Sequence, residues 1–142
     1  GEVVLSVLGY SKGSSRDVQS VATRYIITSM YQFGKRRLIT LTNTYIPFQQ
    51  DGNGLGQRFK RIMFQLFSGS TYRDTLDAAQ AIKKSSLDWT IVRTARLTDG
   101  PHTGGYDVIV GSSHISRANA ADFMLKHLED KTYIHEAPVI SE

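Results

Sequence analysis

The chain has 142 residues and carries 17 Lys+Arg against 13 Asp+Glu, a formal net charge of +4. Its length suits one domain over residues 1–142, and 40% apolar residues are too many for a disordered chain. The absence of Cys excludes a disulfide framework, a thiol nucleophile and thiolate metal sites, and suits a reducing, cytoplasmic setting.

Val3-Val4-Leu5-Ser6-Val7-Leu8 is a nearly continuous apolar run ending at Gly9, the pattern of a strand buried on both faces. Ser14-Ser15 is placed to cap a helix starting near Arg16. Val18, Val21, Ala22, Tyr25, Ile26, Met30 and Phe33 recur at helical spacing, and Gly34 is placed to stop that helix. Leu38-Ile39-Thr40-Leu41-Thr42 reads as a second buried strand. Residues 47–56 form a polar loop, and an amphipathic helix follows with Phe59, Ile62, Met63, Leu66 and Phe67 on one face. A further helix is expected over 71–84, with Leu76, Ala79 and Ile82 inward. Trp89-Thr90-Ile91-Val92 is a third strand, and residues 106–110 read as another. Ser116 is the expected N-cap of a helix running through Phe123, Leu125 and Leu128, and Val139-Ile140 closes the chain as a small strand.

Strands alternating with helices imply an α/β sheet with parallel strands. Ligands of such sheets sit outside the carboxyl ends of the strands. Those ends are Leu8-Gly9, Thr42-Asn43 and residues 92–97. Other motifs carry less. Gly52-Asn53-Gly54-Leu55-Gly56 has the wrong spacing for a dinucleotide turn, with Gln57 where the third Gly belongs. Tyr31 and Lys35 have a Tyr-x-x-x-Lys spacing, but Gly34 intervenes at a helix end, so the two should not share a face. Tyr72 has Leu76 four residues on. The four His residues lack metal-type spacing, and His127, Asp122, Glu129 and Asp130 read as solvated helix surface. Trp89 reads as core. Basic residues are scattered apart from Lys35-Arg36-Arg37, which argues against nucleic acid. No run approaches the ~18 apolar residues of a membrane span, and residues 1–9 lack the basic start of a signal peptide.

Residues 87–101, Leu-Asp-Trp-Thr-Ile-Val-Arg-Thr-Ala-Arg-Leu-Thr-Asp-Gly-Pro, resemble a signature of the atypical short-chain dehydrogenase/reductase group with an NAD(P)-binding domain. That group includes the biliverdin reductase B (flavin reductase-like) and NmrA-like proteins. Thr103-Gly104-Gly105-Tyr106 and Ile115-Ser116-Arg117-Ala118-Asn119-Ala120-Ala121-Asp122-Phe123 resemble two further runs of the group, in the same order. Tyr133 and Ala137-Pro138-Val139-Ile140-Ser141 resemble its C-terminal end. The resemblance implies a Rossmann-like doubly wound parallel sheet that here lacks the N-terminal strands and their Gly-rich phosphate turn. Three leading strands with two helices would take on the order of 60 residues. The expectation is therefore the C-terminal part of one such domain, as a fragment, a truncated product or a separated piece. With the common strand order 3-2-1-4-5-6, residues 3–8 become a sheet edge open to self-association.

The resemblance also implies NADP or NAD as cofactor and hydride transfer to a small planar acceptor such as a flavin, quinone or tetrapyrrole. Leu8 and Gly9 would meet the cofactor at the sheet crevice. Thr42 and Asn43 would line the nicotinamide side, and Thr94, Ala95, Arg96 and Leu97 would face the carboxamide. Asn43 and Arg96 are the catalytic candidates. Asn43 stands where such reductases often carry Ser, and Asn is no hydroxyl donor. Arg96 stands where biliverdin-type members have His; it can attract an anionic substrate or the cofactor phosphate but is a poor proton donor. Thr94 replaces a Pro of the usual pattern and restores a backbone N–H. Three lost phosphate hydrogen bonds, at roughly 1.5 kcal/mol or more each, would weaken cofactor binding about a thousandfold. The alternative is a non-catalytic, NmrA-like dinucleotide sensor that binds a protein partner.

Overall fold

The computed structural model describes residues 2–48, 54, 62, 69–108 and 114–142. Strand β1 (Val3–Ser6) is followed by helix α1 (Val18–Gln32), strand β2 (Arg37–Asn43), helix α2 (Ser70–Lys84) and strand β3 (Asp88–Thr94). Two three-residue strands, β4 (Arg96–Thr98) and β5 (His114–Ser116), precede helix α3 (Arg117–Lys126) and strand β6 (Val139–Ile140). The main sheet has the order β1-β2-β3-β6 and every pairing in it is parallel. Strands β4 and β5 form a separate parallel pair. The expected α/β class and parallel sheet are thus the observed ones.

Alternation along the buried strands divides the core in two. Leu38, Trp89 and Ile91 pack with Ile27 and Met30 of α1 and Ala79 and Ile82 of α2. Their neighbours Ile39 and Val92 face the other way, onto Ile115, Ile140 and the α3 residues Ala120, Phe123 and Met124. The sheet therefore lies between α1 and α2 on one side and α3 on the other. Trp89 is core as expected, at 6% exposed, with the His135 ring 5.6 Å away.

Helix α1 ends as its sequence demands. Gly34 adopts φ +65°, its N–H donates to the Tyr31 carbonyl, and the Lys35 N–H reaches back to Met30. Those two bonds define a Schellman cap, which only a residue tolerant of the left-handed region closes without strain. The cap also separates Tyr31 from Lys35. The Tyr31 phenol oxygen accepts the Ser86 N–H at 2.9 Å, while Lys35 pairs with Glu2 at 3.3 Å. Ser116 is the N-cap of α3, accepting the Asn119 N–H.

The start of α1 differs from expectation. It begins at Val18, and neither Ser14 nor Ser15 caps it. Its orphan N–H groups are taken by another helix: Asp74 of α2 accepts the Gln19 N–H through Oδ2 and the Ser20 N–H through Oδ1, both at 2.9 Å. The Tyr10 hydroxyl adds a third bond to Oδ2 at 2.5 Å. This bridge turns Ser20, Thr23, Ile27 and Met30 toward the core, and leaves Val21, Tyr25 and Phe33 outside. The expected stripe was therefore displaced by about one residue position around the helix. Ser20 and Thr23 are buried on α1 beside Ile27 and Met30, which pack with Ala79 and Ile82 of α2.

Three further expectations change. In residues 106–108 no strand forms; Asp107 makes only an isolated antiparallel bridge to Ser141. The helix expected around Phe59 to Phe67 lies outside the described residues, except Ile62, which is helical and exposed. His127 is not a solvated side chain: its ring packs 4.4 Å from Phe123 and 4.8 Å from Tyr133, with Nδ1 2.6 Å from Asp130. Asp122 is likewise engaged, accepting from the Tyr106 hydroxyl at 2.8 Å and pairing with Lys126 at 2.7 Å.

Burial works against the Asp74 charge, but the bonds from Ser20, Tyr10 and Gln19 outweigh it and hold the carboxyl below its ordinary range. Burial and the adjacent carboxylate push the Tyr10 phenol up to about 12, so it remains a donor. Asp74→Ala should cost about 2–4 kcal/mol in urea unfolding, from two lost caps and one lost phenol bond. A depressed folded pKa gives stability that is complete above the ordinary value of about 3.9 and drains as pH falls through the folded value. Asp74→Asn should flatten that acid limb of the stability curve.

Candidate functional site

The carboxyl ends of β1, β2 and β3 open onto one groove of about 290 Å³. Leu8, Thr42, Asn43, Thr94, Ala95 and Leu97 line it, together with Leu41, Gln19, Thr75 and Arg117. Six of the eight residues expected from sequence are thus brought together. Gly9 and Arg96 are not among its lining residues. Gly9 is exposed, its φ lies outside the left-handed region, and a Cβ there would meet nothing within 4 Å, so nothing at this turn requires glycine. Arg96 is exposed on β4, where the β4–β5 pairing sets it beside His114.

A second groove of about 490 Å³ adjoins the first and shares Gln19, Asn43 and Thr75 with it. Tyr10, Tyr45 and Tyr72 give it aromatic walls. The Tyr72 hydroxyl donates to the Tyr45 carbonyl at 3.1 Å, and burial raises its pKa. Together the grooves have the size and the mixed apolar and polar lining of a small-molecule site.

Backbone registry and one buried cation shape the floor. Thr42 pairs with Arg93 and Asn43 with Thr94 across the sheet. The Thr44 N–H continues the ladder to the Thr94 carbonyl at 3.0 Å. The Asn43 side-chain oxygen accepts the Tyr45 N–H at 3.0 Å, an Asx turn that fixes where the strand ends. Arg93 is 1% exposed. Its Nε donates to the Ala137 carbonyl at 2.9 Å and its Nη1 to the Ile46 carbonyl at 3.1 Å, and the Phe48 ring lies 4.9 Å from the guanidinium. It thereby ties the segment after β2 to the approach to β6.

Thr42 presents the clearest sign of a ligand. Its Oγ1 is buried and has no hydrogen-bond partner among the described residues. A buried hydroxyl without a partner is costly, and Thr42 is one of the residues lining the groove. A polar ligand group there would relieve that cost. The amide of Asn43 and the backbone at Thr94 and Ala95 lie on the same wall, so the donors and acceptors present suit the amide-bearing end of a pyridine nucleotide.

Sequence reasoning missed Gln19, Thr75, Arg117 and the tyrosine walls. Gln19 lies in the first turn of α1 and Thr75 in the second turn of α2, beside the Asp74 bridge that brings the two helices together. Arg117 stood inside a recognised run but carried no signal of a groove.

A four-stranded parallel sheet between helices, with a polar groove at its carboxyl ends, defines a Rossmann-like α/β domain. A family model for NAD(P)H-binding proteins matches residues 2–131, and the chain belongs to that family. No curated protein matches the sequence. The solved structures that it resembles include the oxidoreductase ylbE from Lactococcus lactis, at 17% identity and TM-score 0.76, covering 99% of this chain and 62% of that one. A short-chain dehydrogenase/reductase from Veillonella parvula in complex with NADP matches at 18% identity and TM-score 0.72, covering 99% and 63%. ChuY, an anaerobillin reductase from Escherichia coli O157:H7, matches at 19% identity and TM-score 0.70, covering 100% and 65%. The chain thus spans less than two thirds of the length of each of these relatives. These likenesses carry the fold.

Arg93→Met should strand the Ile46 and Ala137 carbonyls and lower stability by about 2–4 kcal/mol in urea unfolding. Arg93→Lys should recover at most part of that loss, because one ammonium does not reproduce the guanidinium fork.

Proposed function

We propose that this protein serves NAD(P)H-dependent reduction of a small planar acceptor, of the flavin, quinone or tetrapyrrole kind. The observation that carries the reading is the unpartnered Thr42 hydroxyl at the strand ends, beside a tyrosine-walled groove large enough for a conjugated ring system. The cofactor, when bound, supplies the hydride. Thr42 offers its hydroxyl to the cofactor's amide end, with the backbone at Thr94 and Ala95 beside it. Leu8, Leu41 and Leu97 give the groove its apolar surface and exclude water. Asn43 holds the rim through its turn, and the tyrosines flank the acceptor.

The sensor reading keeps one observation in its favour: neither Tyr31 nor Tyr72 has a lysine placed to help it give up a proton. Tyr31 and Lys35 are engaged elsewhere, and Leu76 follows Tyr72. A hydride acceptor that takes its proton from water would not need such a pair, so the reductase reading stands ahead.

This chain alone is proposed to bind the cofactor weakly, since its strand ends offer no Gly-rich phosphate turn. In a fluorescence titration NADPH should bind more weakly than micromolar, and Thr42→Val should weaken it a further ~5–10-fold. Micromolar affinity overturns the weak-binding proposal, and an unchanged Thr42→Val titration removes Thr42 from the site. Steady-state reduction of flavin at high NADPH tests the class: turnover supports a reductase, while binding without turnover supports a sensor.

Self-association through β1 is part of the same proposal. Among the described residues the strand pairs only with β2, and Leu5 in it and Val7 and Leu8 just beyond it are 42%, 66% and 38% exposed. Apolar strands at an open edge associate. Val4 packs on the core, so a charge at Val4 would disturb the fold itself. Val7→Lys is the cleaner probe: light scattering should show less association, and an unchanged profile counts against pairing through this edge.

A further inference from the structure

The formal charge among the described lining residues of the two grooves is one-sided. Of the described residues lining them, Arg117 alone carries a formal charge at neutral pH; the rest are amides, hydroxyls, phenols and apolar groups. The Asp74 carboxylate behind these walls is taken up by the Tyr10 hydroxyl and the Gln19 and Ser20 N–H groups, so the charge the lining presents to a ligand is the Arg117 cation, which favours an anion. Arg117 is the first residue of α3, directly after the Ser116 cap, so its backbone is held while its side chain remains 59% exposed. Its Nη1 pairs with Asp99 Oδ1 at 2.5 Å, and that carboxylate is 93% exposed. An ion pair so open to water contributes little, and a ligand anion at the groove can replace it. A guanidinium offers a carboxylate or phosphate two parallel donors. The role expected of Arg96, attraction of an anion, has no support from its position, because Arg96 does not line the groove.

Building on the reductase reading, we infer that Arg117 is the anion-recognition residue of this cleft, holding an oxyanion of the bound ligand in exchange for Asp99. Two sources offer that chemistry: a carboxylate or phosphate on the planar acceptor, or a phosphate of the cofactor. Asp99 then acts as a resident competitor that keeps Arg117 extended when no ligand is present.

FMN and riboflavin share one ring system and differ in a phosphate, so the ratio of their affinities isolates the anion. Flavin fluorescence titrations of the full chain at low salt should favour FMN by roughly 5–10-fold. Arg117→Gln should bring the ratio to about one while riboflavin binding is retained, and Asp99→Asn should raise it. If Arg117→Gln instead leaves that ratio unmoved but weakens NADPH, the anion belongs to the cofactor and the site stands. If it changes neither, the assignment of Arg117 is overturned and the reductase reading survives. If neither flavin binds the unaltered chain, while far-UV circular dichroism shows it folded, the planar-acceptor reading falls and this assignment with it.

Discussion

Asp74 is where the two helices on one face of the sheet are joined. A helix that begins without a cap of its own leaves donors that must be satisfied, and α1 satisfies two of them with a carboxylate from α2. That choice fixes the rotation of α1 and the spacing between the helices. It also decides which side chains reach the strand ends. Gln19, whose N–H is held by Asp74, and Thr75, the next residue along, both line the groove. Tyr10 is tied to the same carboxylate and walls the adjoining groove. One buried acid therefore supports helix pairing and site construction together.

The same economy marks the other end of the cleft. Asn119 is wholly buried, and its side-chain oxygen accepts the N–H groups of Thr103 and Gly104, both at 3.0 Å. Its amide nitrogen donates to Glu142 at 2.5 Å, and Glu142 also accepts the Ser116 N–H at 2.9 Å. An acid in place of Asn119 would face the Glu142 carboxylate, whereas the neutral amide bonds to it. Two backbone segments and the start of α3, which carries Arg117, are thus held by one uncharged side chain.

Much of the frame was legible because it rests on local signals. Apolar runs marked β1, β2 and β3, Gly34 marked the end of α1, and Ser116 marked the start of α3. The groove was legible through a topological rule about strand ends, which placed Thr42, Asn43 and Thr94 correctly. What escaped depended on partners far along the chain. Asp74 reads in sequence as one more helical acid, and nothing local says that it caps α1. Arg93 reads as a charge beside a strand, yet it is buried because the Ile46 and Ala137 carbonyls and the Phe48 ring enclose it. The stripe of α1 is only half legible, because burial there follows the rotation that Asp74 imposes, which takes in Ser20 and Thr23 with Ile27 and Met30 and leaves Val21, Tyr25 and Phe33 outside.

The sheet's connectivity carries a consequence for how the molecule assembles. Val3 pairs with Arg37, Arg37 with Asp88 and Arg93 with Val139, so a stretch of chain well beyond one helix separates each strand from its neighbour. No hairpin exists in the main sheet to act as a local seed. Contacts so distant in sequence slow the search for the native state, because loop closure must be met before any pairing rewards it. A chain emerging from the ribosome must wait for the residues of β3 before the middle of its sheet can close, and in that interval its most apolar segments stand unpaired.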